Sequence, residues 1–545
     1  MDNTDARNSN HVRRATEIHN ALRSTVTVSD RSMISQSLLD AEVELKEYQA
    51  QINRLQASIW ALESKSKRLM KNMESYRSLL SPVRRMPLEI LTMIFTFLCG
   101  NNDLVPSTPP PAISLSMVCG RWRDIALSSP TLWSTLSLDF SHWTEAARLH
   151  SLENTTRLFM ENSGRSPLKI SVTFPSHEFP AEALPSLRNI SKQCNRWQSL
   201  SLTFSEPSGL PFAGFDAIRG ELPMLQCLSL IRQPYTDITT IWEDCPLLNL
   251  FDTCPSLRTL DISPDDYLLD DEEPPLPCRQ IKALQIRNSH NRSALSLLST
   301  CPNVEDVELT GLYGSNESWP DFEGYVVSDV VKSLTVMGAT RQPDLDDILR
   351  HLTLPGLTSL VLSGHGIQWI WDGSILKEFF HRSTTNITSL HLRGLPITDV
   401  ELLSLLSMLP SLTHLGIEEM PVALRNRVIT KRFLNSLALH PSDTPSSAPL
   451  LPFLREMNLV VHSRDIDPEA FKAALSSRWH GDLEHTKDAG NVSLQAVSIS
   501  VMLRIKDLRT PDYDVLDCLR CFRDVGMWVS VSYFDRNLFL GKLPS

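Results

Sequence analysis

The most constraining feature of this sequence is a short apolar pattern that recurs between residues 197 and 499. Each copy reads L-x-x-L-x-L, and its last two apolar positions lie two residues apart, as on one face of a strand. The ends of successive copies from Leu202 to Ile417 are 23 to 32 residues apart, a spacing typical of repeat proteins. The copies are Trp197–Leu202, Leu225–Leu230, Leu257–Ile262, Ile281–Ile286, Val304–Leu309, Val331–Val336, Leu357–Leu362, Ile387–Leu392, Leu412–Ile417, Leu454–Leu459 and Leu494–Ile499. Strands at this spacing predict a stacked array.

Helices are predicted between the copies. Runs such as 293–298 and 400–406 are helix-like, and a Cys-Pro or Leu-Pro pair precedes many copies, where a helix would stop. One repeat is therefore expected to be strand, loop and helix, and stacked repeats predict a right-handed α/β solenoid with a parallel sheet on its concave face. We expect strands at 136–138 and 168–172 to begin the array, and insertions, including 441–452, to widen the last two units. An unrelated α/β domain is the alternative.

A second pattern, a heptad repeat, occupies residues 31 to 80, with no internal Pro or Gly. Its a positions are Leu38, Leu45, Ile52, Ile59, Ser66, Met73 and Leu80, and its d positions are Ala41, Tyr48, Leu55, Leu62, Leu69 and Tyr76. Only Ser66 breaks the apolar seam, and such a 3.5-residue repeat predicts a coiled coil. A single long helix that packs on its own chain is the alternative. The polar residues 1 to 30 are expected to be disordered.

The charges of this segment are unevenly distributed. Acidic residues dominate its first half and basic residues its second half, an order that suits the helix dipole. The same order would let two antiparallel copies attract each other, so a homo-oligomer formed through the coiled coil is possible. The acidic residues of the first half are Asp40, Glu42, Glu44 and Glu47, and the basic residues of the second half are Lys65, Lys67, Arg68 and Lys71.

Residues 82 to 133 predict a small apolar helical module. Pro82 should end the long helix, and Pro87 suits the first turn of a new one. In that helix Ile90, Leu91, Ile94, Phe95 and Leu98 form a wide apolar stripe. A loop is expected from Cys99 to Pro111, followed by a second helical run to Ala126. About fifty residues bury too little surface to be stable alone, so such a module should have a partner.

Three pieces of this module resemble an F-box. They are Pro-x-Glu-Ile-Leu-x-x-Ile-Phe at 87–95, Val-Cys-x-x-Trp-Arg-x-Ile-Ala at 118–126 and Ser-Pro-x-Leu-Trp at 129–133. The resemblance implies a three-helix fold that binds a Skp-type adaptor, and through it a cullin, in an SCF-type ubiquitin ligase. The adaptor-binding residues that it implies are Met86, Pro87, Ile90, Leu91, Ile94, Leu98, Val118, Cys119 and Trp122.

The module departs from the F-box pattern in two places. Met86 stands where the family usually has Leu before the Pro, and the loop 99–112 is longer than the family minimum. Neither departure removes the apolar face, although the loop makes the second helix harder to place. An ordinary helical hairpin within a larger core is the alternative.

The repeats resemble the leucine-rich-repeat region of F-box proteins, and the order of the two regions supports that resemblance. The family's Asn or Cys, three residues after the second strand residue of each copy, is missing, however. Irregular repeats whose turns have other hydrogen-bond partners are therefore expected. Ser205, Leu312, Ala339, His365 and Met420 stand there instead. The expected fold class is mixed: an N-terminal long helix (coiled coil) at 31–80, a small all-α F-box at 82–133 and a C-terminal α/β leucine-rich-repeat solenoid at 134–545.

Composition and charge argue against several classes of partner. The formal net charge of the 545 residues is −11, whereas nucleic-acid binding needs a basic face. No run of about 18 apolar residues predicts a membrane-spanning helix. Ten cysteines without a secretory signal suggest reduced thiols in a cytoplasmic or nuclear protein. No phosphate-binding loop, nucleophile elbow or His-rich cluster occurs, so neither catalysis nor a cofactor or metal is expected.

Three other features are predicted to be structural rather than functional. The acidic run from Asp265 to Glu273 is expected to be a solvated loop, and recognition of a basic segment is its less favoured alternative. Trp319, Trp369 and Trp371 are expected to cap loops, although exposed aromatic residues can anchor a ligand. Cys518 and Cys521 form a lone C-x-x-C with no second pair, which argues against zinc binding.

These features predict the substrate-recognition subunit of an SCF-type ligase, in which the repeats bind a target protein of unknown identity. A coiled-coil and repeat scaffold that uses its F-box outside ubiquitylation is the second hypothesis. An enzyme within the solenoid is the third, and the missing catalytic motifs make it remote.

Overall fold

The computed structural model describes residues 16, 18–20, 22–23, 25, 27–143, 146–175, 179–204, 214–215, 218, 220, 222–232, 248–263, 275–314, 324–339, 342–364, 373–383, 386–420, 427–439, 449–462, 467–479, 493–503, 519–524 and 526–535. The chain divides into two compact units, Met1–Leu91 and Thr92–Ser545. Most of the predicted disordered segment 1–30 lies outside the described residues.

The first unit contains one long helix, α1, which spans Val28–Leu80 and begins three residues before the predicted coiled coil. Thr27 caps its first turn, because its side-chain oxygen accepts from the Asp30 N–H while the Asp30 carboxylate accepts from the Thr27 N–H. Pro82 then begins a short 3₁₀ turn, Pro82–Arg85, which ends the helix as predicted. The predicted long helix is therefore confirmed, and the predicted pairing of such helices stays a prediction.

The apolar seam of α1 is exposed to solvent. Its large apolar side chains are between 39% and 72% exposed in the single chain, which is unusual for a stripe of this length. They are Leu38, Leu45, Tyr48, Ile52, Leu55, Ile59, Leu62, Leu69, Met73, Tyr76 and Leu80.

The second predicted module contains three helices, as the resemblance implied. They are α2 at Leu88–Leu98, α3 at Pro111–Val118 and α4 at Gly120–Ser128, and a 3₁₀ turn, Pro130–Trp133, follows. The run predicted as one second helix is broken at Cys119, whose extended backbone separates α3 from α4. The loop predicted from Cys99 to Pro111 contains a short strand, so the module is not all-α.

Among the described residues, fifteen strands form one sheet, in which every strand is parallel to its neighbours and chain order is kept. A separate parallel pair, β9 at Val326–Val327 and β11 at Leu352–Thr353, lies outside it. The strands of the sheet are β1 Asp103–Leu104, β2 Thr135–Asp139, β3 Leu168–Thr173, β4 Trp197–Phe204, β5 Cys227–Arg232, β6 Thr259–Ile262, β7 Ala283–Arg287, β8 Asp306–Thr310, β10 Ser333–Ala339, β12 Ser359–Gly364, β13 Ser389–Arg393, β14 His414–Glu418, β15 Glu456–His462, β16 Ala496–Leu503 and β17 Trp528–Asp535.

Every predicted copy of the apolar pattern contributes a strand, and the predicted early strands are β2 and β3. The first apolar residue of each copy is buried just before or at the start of its strand, as Leu257, Leu357 and Leu412 show. The sheet is longer than predicted at both ends, because β1 precedes it and β17 follows it. These two strands lack the full pattern, so the repeat gave no signal for them.

Helices occupy several of the intervals between strands. From Asn291–Thr300 to Pro468–Arg478, each described helix contacts the next one along the chain. The described helices of this region are α5 Ala146–Asn162, α6 Leu184–Ser191, α7 Asn291–Thr300, α8 Gln342–His351, α9 Gly373–Ser383, α10 Asp399–Leu406, α11 Lys431–Leu437, α12 Pro468–Arg478 and α13 Arg520–Asp524.

One backbone arrangement repeats at the entrance to the strands. The Lys332 carbonyl, for example, accepts from the N–H groups of both Thr358 and Ser359, which begin the next unit. Carbonyls in the same position act in this way at Gln226, Arg258, Lys282, Glu305, Thr358, Thr388, Thr413 and Arg455. These bonds need no particular side chain, so they can join successive units that lack the family's Asn or Cys.

Glycine supports the turns at the ends of several strands. Gly394 follows β13 with φ +59°, and its N–H donates to the Glu418 carbonyl of the next strand. A Cβ at this position would lie 2.8 Å from the Gly364 carbonyl oxygen. Both the positive φ and the close approach require glycine there.

A buried asparagine joins the helical module to the sheet. The Asn102 amide group donates to the Leu132 and Thr135 carbonyls, at 2.9 Å each, and its oxygen accepts from the Ala112 N–H at 3.1 Å. The Asn102 carbonyl accepts from the Ser137 N–H of β2. The amide also donates to the Cys99 carbonyl at 3.2 Å, so one residue connects the end of α2, the start of α3 and the first two strands.

We predict that Asn102→Ala destabilises the second unit by about 3 kcal/mol, because it leaves a buried N–H and three carbonyls without their partner. Denaturant unfolding of the full chain measures the change. Asn101→Ala is the matched control, since Asn101 is exposed and its amide bonds only the nearby Asp103 carboxylate. An Asn102 variant as stable as the control would contradict the role given to this side chain.

Candidate functional site

Helix α2 buries one side in its own module. Leu91, Phe95 and Cys99 follow one another at intervals of four residues and are each no more than 2% exposed. The Phe95 ring lies edge-on to the Trp122 ring of α4, with ring centres 4.9 Å apart. Burial also raises the pKa of the Cys99 thiol to about 11, so this thiol stays protonated at neutral pH.

The other side of α2 is apolar but exposed. Ile90, Ile94 and Leu98 also follow at intervals of four, and each is at least 40% exposed. Met93 and Phe97 extend this surface, and Phe97 is the most exposed of them at 88%. Five large apolar side chains on one short helix form an apolar patch of the kind that marks a binding surface.

The remaining predicted adaptor-binding residues are at least partly accessible. Pro87 is exposed and precedes α2, and its carbonyl accepts the first helical hydrogen bond, from the Leu91 N–H. Val118 is exposed at the end of α3. Met86, Cys119 and Trp122 are half-buried, and in the case of Trp122 the contact with Phe95 accounts for part of that burial.

Leu91 differs from the other eight predicted residues, because it is buried in the single chain. The F-box resemblance placed it on the adaptor-facing side, whereas here its side chain is only 1% exposed. Met93, Phe97 and Met117 are exposed apolar residues that the prediction did not include. For Met93 and Phe97 a signal existed, since they are apolar residues outside the predicted stripe.

A second candidate surface lies on the sheet. It is the face on which β13, β14 and β15 carry partly exposed side chains. Along β13 and β14, Arg393 lies beside Glu418, and their Nε and Oε2 atoms are 3.9 Å apart. His414 lies beside Glu456 of β15, with an Nε2–Oε1 distance of 3.6 Å. Burial raises the pKa of the Glu418 carboxyl, although Arg393 opposes that shift.

His391 lies at the centre of this charged group. A Cβ added to Gly416 of β14 would lie 2.0 Å from His391 Nδ1, so the imidazole ring occupies the space that a side chain would fill. Burial, and then the positive charges of Arg393 and His414, lower the pKa of His391 below its usual value. The ring is therefore mainly neutral at pH 7.

Of the other features that the sequence singled out, Cys521 is the one that lies among the described residues. The acidic run 265–273, the three tryptophans and Cys518 lie outside the described residues, and Cys521 is exposed on α13. In the described part of the chain, no three His, Cys, Asp or Glu side chains are grouped as a metal ligand set. Of the helices described, none has the length and apolar character that crossing a membrane requires.

Comparison with known families identifies one domain. Residues 83–139 match the F-box-like family, which accounts for 57 of the 545 residues. The match includes the three helices, the exposed side of α2 and the strands β1 and β2 that follow Asn102. No curated protein matches the chain. The chain therefore contains an F-box-like domain, and the remaining regions carry no family assignment.

Two phenylalanines of α2 provide a test of its two sides. We predict that Phe95→Ala destabilises the second unit by about 3–5 kcal/mol, because it removes a buried ring and its contact with Trp122. Phe97→Ala should change stability by less than about 0.5 kcal/mol, because its ring is already in water. Thermal unfolding of the full chain compares them, and equal effects would contradict the orientation of α2.

We also predict a pH dependence from His391. Its pKa is lowered in the folded chain, so the unfolded chain binds a proton more readily. The neutral His391 side chain makes its full contribution to the stability of the folded chain above the ordinary pKa of about 6.5. That contribution falls as the pH decreases below this value. Between pH 7 and pH 5, His391→Gln should therefore lose less thermal stability than the wild type. His381→Gln, at an exposed position, should behave like the wild type.

Proposed function

We propose that this protein is the substrate-recognition subunit of an SCF-type ubiquitin ligase. Its F-box-like domain would bind a Skp-type adaptor, and through it a cullin, while the later region binds a target protein. The observation that carries the proposal is the exposed apolar side of α2 within residues that match the F-box-like family. The protein would act in the cytoplasm or nucleus.

Adaptor binding would cover the apolar residues that the single chain leaves in water. Removing apolar surface from water contributes roughly 25 cal/mol per Å², so the exposed side of α2 could supply much of the binding energy. Ile94, Phe97 and Leu98 would be the centre of this contact, and Met117 and Val118 of α3 would add to it. Leu91 would act indirectly, by fixing α2 on the core of its own domain.

We further propose that residues 134–545 are an irregular leucine-rich-repeat solenoid that holds the target. The chain order of the parallel strands and the contacts between successive helices support this architecture. The strand face around His391 presents charged and neutral polar groups in fixed positions, which suits selective recognition of a protein surface. The acidic and basic groups there alternate, so the target surface would carry both signs of charge.

The chain itself would be non-catalytic and would need no cofactor. Ubiquitin transfer would occur on other subunits, and this protein would contribute by holding the target close to them. Fixing two reactants in one complex raises their effective concentration, which accelerates transfer without any catalytic group in this chain.

The alternative is a scaffold that uses its F-box-like domain outside ubiquitylation. The exposed heptad seam of α1 favours it, because that feature serves assembly and is not required to present a target to a ligase. The two functions differ in the partners that should accompany the adaptor.

Affinity capture of the full chain tests the proposal. The wild type should retain both a Skp-type adaptor and a cullin. Ile94→Asp with Leu98→Asp should weaken adaptor binding by roughly a hundredfold or more, because it would bury two unpaired charges in the contact. Both residues are exposed, so the variant should fold.

Leu158→Asp is the matched control, because Leu158 is an exposed apolar residue on α5, outside the F-box-like domain. It should retain both partners. A wild-type chain that captures no adaptor would refute the proposal, and one that captures the adaptor without a cullin would favour the scaffold.

A further inference from the structure

The heptad seam of α1 requires a partner that the single chain does not supply. Most of the stability of a protein helix comes from packing of its apolar side. Along α1, however, apolar residues from Leu38 to Leu80 are exposed over the whole seam. The 53-residue helix also continues without a break through the seam, so a partner helix could cover it from end to end.

The charges of α1 indicate what that partner is. Residues 28–53 carry five acidic and two basic side chains, a net charge of −3. Residues 54–80 carry six basic and two acidic side chains, a net charge of +4. A parallel second copy would place like charges side by side, whereas an antiparallel copy would place each acidic half beside a basic half. The charges of the helix are therefore complementary to those of an antiparallel copy of itself.

The apolar seam is compatible with the same arrangement. Reversing the second helix places a positions opposite d positions. In one such register Leu38 faces Leu69, Leu45 faces Leu62 and Ile52 faces Leu55 of the second copy. The two-fold axis of this register passes between residues 53 and 54, directly before Arg54, the first basic residue of the second half.

The same register also accommodates the interruption of the seam. It places Ser66 opposite Ala41, so the one polar a residue faces the smallest d residue. Shifting the register by one heptad would instead place Ser66 opposite Tyr48 or opposite Ile34, both much larger than Ala41. The interruption of the seam therefore favours the register in which Ser66 faces Ala41.

We propose that α1 forms an antiparallel homodimer with a second copy of this chain, centred between residues 53 and 54. In such a pair the two Leu80 residues lie at opposite ends, roughly 80 Å apart at 1.5 Å per residue. The chain continues from each Leu80 into the F-box-like domain, so the two domains would be attached at opposite ends of the pair. This inference does not depend on adaptor binding.

Charge reversal in the full chain tests both the dimer and its direction. The first variant combines Glu42→Lys, Glu44→Lys and Glu47→Lys, and the second combines Lys65→Glu, Lys67→Glu and Lys71→Glu. Light scattering should give the wild type about 123 kDa, twice the chain mass of 61.4 kDa. Each variant alone should weaken the dimer by about tenfold or more, because an antiparallel pair then places two halves of like net charge side by side.

Two combinations complete the test. One chain carrying all six reversals should recover the wild-type affinity, because an antiparallel pair again places opposite charges together. A mixture of the two triple variants should form a heterodimer. Ile52→Asp with Leu55→Asp, at the centre of the seam, should give a monomer whose circular dichroism retains the other helices.

Three results would overturn the inference. They are a wild type that is monomeric at high concentration, a mass other than that of a dimer, and triple variants that dimerise as well as the wild type. The last result would mean a parallel pair, in which reversing one half leaves like charges facing like charges.

Discussion

The hydrogen bonds of Asn102 are the interaction on which the arrangement of the second unit depends. Its side chain joins the carbonyls of Leu132 and Thr135 to the N–H of Ala112, and its own carbonyl receives the N–H of Ser137. A buried amide whose partners come from separate segments can be satisfied in only one arrangement, so it fixes that arrangement. The F-box-like domain and the sheet are consequently continuous, and β1 of the domain is the first strand of the sheet.

Continuity of this kind matters for the proposed function. A receptor has to hold its target close to the adaptor, and the bonds of Asn102 join part of the matched region directly to the sheet. The Trp143 indole supports the same connection, because its N–H donates to the Leu104 carbonyl of β1. From β1 onwards each strand pairs with the next, so the position of the first strand is transmitted along the sheet.

The repeats and the long helix could be predicted because their signals are periodic and local. Each L-x-x-L-x-L copy buries its own apolar residues, so its strand is recognisable without knowledge of its neighbours. Strands β1 and β17 lack the full pattern, and pairing with β2 and β16 makes them strands. The break at Cys119 was missed for a similar reason, since apolar residues on both sides continue a helical pattern through it.

Which segments are apolar, at what period they repeat and where the charge changes sign along α1 follow from the order of residues alone. Packing decides which side of α2 faces inward, because Leu91 and Ile90 are equally apolar. Leu91, Phe95 and Cys99 are buried, and Phe95 contacts Trp122, whereas Ile94 and Phe97 lie in water. A binding surface is what remains after packing, so it follows from the fold.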